Sequence, residues 1–253
     1  MNNESITEAL KVDISATRSE LGLKAVKLVA SKIIELLDQQ QFVNIIFAAA
    51  PSQNEFLEEL SKNDAIAWER INAFHMDEYV GLPEDAPQRF GNFLKNRLFG
   101  KVPFRSVNYL NGLAENLKEE CARYTALLES HPTDIVCMGI GENTHIAFND
   151  PHVAYFNDPQ LVKIVDLDEA CRQQQVNDGC FTALNEVPIY ALTLTVPALM
   201  RAKYAFCMVP GPTKAQAIYH TLQSDIQELY PSTILRKHPE AILFIDKESS
   251  ALL

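Results

Sequence analysis

Residues 42–55 read FVNIIFAAAPSQNE, and this stretch decides the fold class. Residues 42–49 form a short, nearly continuous apolar run, which at this length indicates a strand that is covered on both faces. Ser52 and Glu55 follow with the Ser-x-x-Glu spacing of a capping box, which predicts the start of a helix. A buried strand that leads directly into a helix is the repeating unit of a parallel sheet.

Similar apolar runs recur along the chain and alternate with helical patterns. Strand-like runs lie at residues 71–74, 134–140, 161–165, 190–196, 204–209 and 241–245, and helical patterns lie at 18–38, 90–98, 113–128 and 214–222. This alternation predicts an α/β fold: an open, mostly parallel sheet with helices on both faces, in a Rossmann-like three-layer sandwich. Because no linker, repeat or low-complexity tract divides the chain, we expect a single domain over residues 1–253, with residues 1–10 as a flexible tail.

Composition narrows the class of protein. The net charge of -11 argues against a general affinity for nucleic acid or anionic membrane, because both need a surplus of Lys and Arg. The five cysteines contain no CxxC pair, which predicts reduced, mostly buried thiols. The start of the sequence lacks the pattern of a signal peptide, and no apolar run approaches the ~20 residues that cross a bilayer. We therefore expect a cytoplasmic enzyme whose partner is a small molecule, and the sequence leaves a homo-oligomer open.

Polar residues follow two of the predicted strands at the edge where such sheets bind ligands. Ser52 and Gln53 lie at a helix N-terminus, whose free N–H groups suit an anion such as phosphate. Asp77 and Glu78 directly follow a short apolar run, where a carboxylate is well placed as a general base. An acidic pair that is merely solvated or caps a helix is the alternative.

Residues 139–151, GIGENTHIAFNDP, form the most informative of these junctions. Gly139 and Gly141 permit a tight turn after the strand, and His145 follows in a polar loop between Asn143 and Asp150. A lone histidine is more often structural. A histidine with two candidate orienting partners is typical of an acid–base catalyst, so we interpret His145 in this way.

A fourth junction, residues 209–218, reads VPGPTKAQAI. Pro212 stands where a helix begins, and Lys214 lies in its first turn. A cation at this position opposes the helix dipole and costs stability unless it serves an anion. The pattern predicts a phosphate clamp made of Lys214 and backbone amides.

The segments MDEYVGL (76–82) and HIAFNDP (145–151) resemble the glucosamine-6-phosphate deaminase family, within a wider group that includes 6-phosphogluconolactonase. The resemblance runs over most of the chain. It implies that an open sheet binds a hexose 6-phosphate, that His145 opens the sugar ring, and that Asp77 moves a proton between C2 and C1. It also implies that Lys214 binds the phosphate. Such a reaction needs an acid and a base but neither a metal nor an organic cofactor.

The chain departs from the family pattern at three places. The family loop carries Asp and Glu where this chain has Asn143 and Asp150, so the amide of Asn143 can orient the imidazole but brings no charge. A Gly-rich loop of the Thr-Gly-Gly-Thr-Pro type is replaced by residues 48–54, which restricts close backbone approach to phosphate. Arg172 is a candidate for the family's second phosphate-binding arginine, and an ordinary surface arginine is an equal alternative.

The resemblance implies an aldose–ketose isomerase that deaminates glucosamine 6-phosphate, or a close amino-sugar phosphate, to the ketose phosphate and ammonia. The expected catalytic group is Asp77, His145, Asn143 and Asp150, and the expected substrate-binding group is Ser52, Gln53, Glu78, Gly141, Arg172 and Lys214. Two alternatives stay open at this point. One is a 6-phosphogluconolactone hydrolase, and the other is a non-catalytic regulator that binds a sugar phosphate.

Overall fold

The computed structural model describes residues 10–253, so the predicted tail of residues 1–10 lies outside it apart from Leu10. The strands are β1 Lys11–Ser15, β2 Val43–Phe47, β3 Ile71–His75, β4 Asp77–Tyr79, β5 Ser106–Asn108, β6 Ile135–Met138, β7 Val162–Asp166, β8 Tyr190–Leu194, β9 Tyr204–Val209 and β10 Ala241–Asp246. The α-helices are α1 Arg18–Gln39, α2 Asn54–Leu60, α3 Phe90–Leu94, α4 Leu117–Ser130, α5 Glu169–Asn177, α6 Val196–Met200 and α7 Ala215–Gln223.

Seven strands form the main sheet in the order β1-β10-β9-β6-β2-β3-β5, and every neighbouring pair is parallel. The side chains of β2 alternate between the two faces: Ile45 and Phe47 join one buried apolar cluster, and Ile46 joins the other. Residues of α1 and α2 belong to the first cluster, and residues of α4 and α7 belong to the second. The predicted three-layer α/β fold with helices on both faces is confirmed.

A second sheet of three strands, in the order β4-β8-β7, is antiparallel. The alternation of strands and helices in the sequence predicts that the runs at residues 161–165 and 190–196 belong to the mostly parallel sheet. They lie in this second sheet instead. An apolar run indicates that a strand is buried but does not identify its neighbour. Asp77 is also a strand residue, because β4 begins one residue after β3 and pairs Asp77 with Thr193.

Several local predictions need correction. The capping box is wrong: no side chain caps α2, and Glu55 instead accepts hydrogen bonds from the Arg18 guanidinium at 2.6 and 2.8 Å. The helix predicted over 113–128 begins at Leu117, because the Asn116 side chain caps it by accepting hydrogen bonds from the N–H groups of Lys118 and Glu119. The helix predicted over 90–98 changes to π-type geometry after Leu94.

Within residues 10–253, no helix combines the length and apolar character that a membrane crossing requires.

Candidate active site

A cavity of about 280 Å³ opens at the carboxyl ends of the central strands. Its walls come from the segments that follow β2, β3, β6 and β9, together with the start of α1 and part of α5. The position is the one expected for a ligand in an open parallel sheet. The volume is close to the lower end of the ~300–1,000 Å³ range that is usual for small-molecule sites.

One end of the cavity is cationic. Lys214 is 6% exposed and lines the cavity, and its Nζ has no hydrogen-bond or ion-pair partner among the residues that the structure describes. Burial lowers the pKa of Lys214, while the charges of Asp178 and Glu142 partly oppose that shift. A buried amine without a partner is ready to bind an anion. Ser52 and Thr213 also line the cavity, and Ser52 was predicted from the sequence as a substrate-binding residue.

Asp246 stabilises the turn that leads to Lys214. Both carboxylate oxygens of this buried residue accept from the backbone N–H of Gly211, at 3.2 and 3.1 Å. Gly211 has φ +97°, a backbone conformation that disfavours residues with a Cβ atom. The glycine thereby turns the chain away from β9 and into the short helical turn Pro212–Lys214.

Asp77 and Asp178 are the two carboxylic acids that line the cavity, and Asp77 is the buried one. It is 6% exposed, and its carboxyl group accepts no hydrogen bond from any residue within the described part of the chain. Burial raises the pKa of Asp77 well above its usual value, and the charge of Glu78 raises it further. Both effects make the ionised form a stronger base than an exposed aspartate, as a proton-transferring group requires.

The position of Asp77 depends on His75. Nδ1 of His75 lies 2.9 Å from the Asp77 carbonyl oxygen, and its Nε2 accepts from the Leu110 N–H at 2.9 Å. Because Nε2 is the acceptor, Nδ1 carries the proton and donates it to Asp77. Burial lowers the pKa of His75 to about 4, so the ring is neutral at physiological pH.

His145 lies on the opposite loop and also lines the cavity. Its ring packs on Gly141, where an added Cβ would stand 2.2 Å from Cε1 of the imidazole. Thr144 and Ala147 flank the histidine with φ of 71° and 48°. Backbone strain of this kind is concentrated at functional sites, where surrounding contacts hold it in place.

The partners of His145 differ from the prediction. Asp150 Oδ1 lies 3.1 Å from Nδ1 of the ring, although the pair lacks the alignment of a regular hydrogen bond. Asn143 was expected to orient the imidazole and does not contact it through a hydrogen bond. Its Oδ1 accepts from the His145 backbone N–H at 3.2 Å, and its Nδ2 donates to Asp150 Oδ1 at 2.9 Å and to Asp168 Oδ2 at 3.2 Å.

Asp150 is fully buried and ionised. Burial alone would raise its pKa, but His145, the Asn143 amide and the Asp168 backbone N–H together lower it below the usual value. The shorter Asp150 therefore provides the negative charge beside His145 that the neutral Asn143 lacks.

Three of the predicted substrate-binding residues do not line the cavity, and each is held by main-chain groups instead. Gln53 Nε2 donates to the carbonyl oxygens of Met138 and Met208, so it ties together the ends of β6 and β9. Glu78 accepts from the backbone N–H groups of Tyr79, Phe90 and Gly91 and thus holds the start of α3. Arg172 Nη2 donates to the Leu184 and Val187 carbonyl oxygens.

Sequence reasoning missed several residues of the cavity: Arg18, Phe90, Phe148, Gln174, Gln175 and Asp178. Arg18 stands in the first turn of a helix, and the dipole argument that selected Lys214 would have found it. The glutamines carry no such signal, because an amide in a polar helix is usually solvated. Here Gln174 accepts from the Glu142 N–H at 2.7 Å and is buried.

Among residues 10–253, two groups of side chains bring donors for a cation together. His145, Asp150 and Cys171 form a buried group, and Asp150, His152 and Asp168 form a partly exposed one, in each case with the donor atoms within 4.8 Å of one another. All five cysteines are unpaired thiols.

The charge pattern of the cavity, cationic at one end and built for proton transfer at the other, places this chain among the α/β enzymes that act on small anionic molecules. The sequence comparison agrees and is more specific. The family described as glucosamine-6-phosphate isomerases/6-phosphogluconolactonase matches residues 16–244, and the chain belongs to this family. The resemblance drawn from residues 76–82 and 145–151 is confirmed.

Curated relatives match 72% to 96% of this chain. A glucosamine-6-phosphate deaminase of Bacillus cytotoxicus is 36% identical over 182 residues, which span 72% of this chain and 68% of the relative. One of Bacillus cereus (strain B4264) is 32% identical over 243 residues, 96% of this chain and 89% of the relative.

Solved structures share the fold. A monomeric glucosamine-6-phosphate deaminase matches with a TM-score of 0.87 and 28% identity, over 96% of this chain and 100% of that one. A 6-phosphogluconolactonase of Thermotoga maritima matches with a TM-score of 0.77 and 19% identity, over 94% of this chain and 100% of that one. The second similarity extends to the fold alone.

Proposed function

We propose that this enzyme converts glucosamine 6-phosphate to the ketose 6-phosphate and ammonia. One observation carries the proposal: Asp77, a buried acid with a raised pKa, shares a single cavity with His145 and with the unpartnered Lys214. A base, a ring-opening acid and an anion-binding cation are what this reaction needs. The names of the relatives give the amino-sugar phosphate as the substrate class.

In this proposal, the difference between the two ends of the cavity sets the direction of the substrate. Its phosphate binds at the cationic end, where Lys214, Ser52 and Thr213 supply an ammonium group and two hydroxyls. The sugar then extends toward Asp77 and His145. Phe90 and Phe148, which are stacked with ring centroids 5.4 Å apart, form an apolar wall beside the reacting carbons.

His145 starts the reaction by giving a proton to the ring oxygen as the C1–O5 bond breaks, and the neutral imidazole takes up the proton that the C1 hydroxyl loses. The sugar is then open, with an aldehyde at C1 and the amine on C2. Asp77 removes the proton from C2 while the imidazolium protonates the C1 oxygen, and Asp77 then returns its proton to C1. The amine carbon becomes a C2 imine, and water hydrolyses this imine to the ketone and ammonia. Asp150 stabilises the positive charge that His145 carries before it donates its proton, since its carboxylate lies 3.1 Å away.

Ammonia release tests the proposal directly. The protein is incubated separately with glucosamine 6-phosphate, with glucosamine, and with 6-phosphogluconolactone, and ammonia and lactone hydrolysis are both measured. We expect ammonia from the phosphorylated amino sugar and much less from unphosphorylated glucosamine. Lactone hydrolysis without ammonia would identify a hydrolase, and tight binding without turnover would identify a regulator.

We also propose that the enzyme works in the cytoplasm, where its five unpaired cysteines would stay reduced. Its small-molecule partner is then a phosphorylated amino sugar of the same compartment.

A further inference from the structure

Cys171 lies close to His145 and Asp150 and does not line the cavity. It is 1% exposed and sits in the first turn of α5, where its N–H donates to the N-cap residue Asp168 at 2.6 Å. Its thiol, one ring nitrogen of His145 and one carboxylate oxygen of Asp150 all lie within 4.8 Å of one another. The proposed reaction gives Cys171 no task.

The three side chains form a donor set that suits zinc. Zn²⁺ takes thiolate, imidazole and carboxylate ligands in tetrahedral geometry, and two ligands on one ion, each about 2.0–2.2 Å from it, stand roughly 3.3 Å apart. The observed separation of His145 Nδ1 and Asp150 Oδ1 is 3.1 Å. The Nδ1 atom is buried and makes no regular hydrogen bond within the part of the chain that the structure describes, so a metal would give it a partner.

We propose that His145, Asp150 and Cys171 form an inhibitory site for Zn²⁺. On binding, the Cys171 thiol loses its proton to solvent and forms a Zn–S bond, the neutral imidazole supplies the Nδ1 lone pair, and Asp150 supplies an oxygen. Zn²⁺ would enter through the cavity beside His145. Its fourth ligand would be another protein atom or a water molecule. A zinc-bound imidazole cannot take up and donate its proton as ring opening requires, so zinc stops the reaction.

This inference rests on the proposed function only for its inhibition readout, and direct binding measurements test it separately. Equilibrium dialysis gives the stoichiometry of Zn²⁺, and Co²⁺ as a substitute reports a thiolate ligand by its near-ultraviolet charge-transfer absorption. Wild-type protein should bind one ion, show the thiolate band, and lose ammonia release as Zn²⁺ is added. Mg²⁺, which prefers oxygen ligands, should have no effect.

Three variants locate the ion. Cys171→Ala and the more conservative Cys171→Ser should keep the activity of the metal-free enzyme and bind Zn²⁺ at least about 10–100-fold more weakly, since even the loss of an outer-shell partner costs that much. Cys180→Ala is the matched control, because Cys180 is a half-buried thiol close in sequence that is not part of the cluster. It should bind zinc as the wild type does.

Two results would overturn the site: wild-type protein that binds no Zn²⁺, or Cys171 variants that keep both the binding and the inhibition. If His152→Ala abolished inhibition by Zn²⁺ and the Cys171 variants did not, the ion would instead bind the partly exposed group of Asp150, His152 and Asp168. Protein that binds Zn²⁺ with a thiolate band but releases no ammonia even without metal would contradict the proposed function and leave the metal site standing.

Discussion

Asp150 Oδ1 lies 3.1 Å from His145 Nδ1, and the same oxygen accepts a hydrogen bond from the Asn143 amide at 2.9 Å. The amide therefore acts on the histidine through the carboxylate that it positions. Its other donor contact, to Asp168, joins the loop to the start of α5.

This arrangement makes Asn143→Asp an unfavourable change, although family members carry an aspartate here. The variant would place a third carboxylate between Asp150 and Asp168 and remove both hydrogen bonds that the amide donates. We expect a loss of about 1–3 kcal/mol in the free energy of unfolding, the cost of leaving the buried acceptor Asp150 without its donor. Denaturant unfolding measures it, and the loss should shrink at pH 4, where carboxylates begin to protonate. A variant as stable as the wild type at pH 7 would contradict this reading.

Asp77→Asn should lower kcat by about 10²–10⁴-fold, the usual contribution of a general base, and leave sugar-phosphate binding nearly unchanged. Because the pKa of Asp77 is raised, activity should be present above that pKa and fall as the pH drops through it, at a pH above the usual carboxylate range. Retention of more than a tenth of the wild-type kcat would remove Asp77 from the role of base.

Glu78→Gln tests whether the charge of Glu78 contributes to the raised pKa of Asp77. The charge of Glu78 helps to raise the pKa of Asp77, so its removal should move the acidic limb of the kcat/KM profile to lower pH. The variant should also be less stable, since Glu78 accepts three backbone hydrogen bonds. An acidic limb that stays in place or moves upward would show that another group sets it.

Lys214→Ala should raise KM for glucosamine 6-phosphate by about 10- to 150-fold, from the roughly 1.5–3 kcal/mol of a charge-assisted hydrogen bond. In the wild type, the lowered pKa of Lys214 means that its charge is lost as the pH rises toward that value, so KM should rise at a pH below the usual lysine range. The pH dependence of KM should be absent in the variant. Binding of unphosphorylated glucosamine is the reference that should not change.

Arg18→Ala should raise KM about two- to fivefold, because this arginine is half exposed and already shares its charge with Glu55. Arg172→Ala is the matched control. Its guanidinium is held by main-chain carbonyl oxygens outside the cavity, so the variant should lose stability and keep its KM. The opposite pattern, with Arg172 affecting KM and Arg18 not, would restore the prediction made from the sequence.

The lowered pKa of His75 predicts that the free energy of unfolding depends on pH. Its pKa is about 4 in the folded protein and 6.5 in the unfolded chain, so between these values the unfolded state binds more protons and stability falls as the pH falls. The loss between pH 7 and pH 5 should be about 2 kcal/mol. In His75→Gln, whose amide can make both hydrogen bonds, that part of the loss should disappear. An equal pH dependence in both proteins would assign the effect to other groups.

The layered fold was accessible from the sequence because buried strands such as residues 42–49 are apolar on both faces. Strand β1 could not be predicted from the sequence, because Ser15 is its one buried residue and the segment resembles a polar tail. The three-stranded sheet was also missed, because pairing between distant runs such as β7 and β8 leaves no local pattern.

Within the site, the residues with distinctive chemistry were found, and those whose role depends on distant neighbours were not. Asp77, His145 and Lys214 each follow a strand and line the cavity as expected. Gln53 was misassigned because its partners, the carbonyl oxygens of Met138 and Met208, come from strands far along the chain. The ion pair of Arg18 with Glu55 depends on how α1 packs against α2, which no spacing rule contains.

The pairing of β1 with β10 has a consequence for synthesis on the ribosome. Strand β1 is made before every other strand that the structure describes, and its partner β10 is made after all of them. Until then β1 has no native neighbour, and β9 presents an open edge on the side that β10 will occupy. The turn at Gly211 is also unsupported until Asp246 arrives, so the anion-binding end of the cavity is complete only once β10 has joined the sheet.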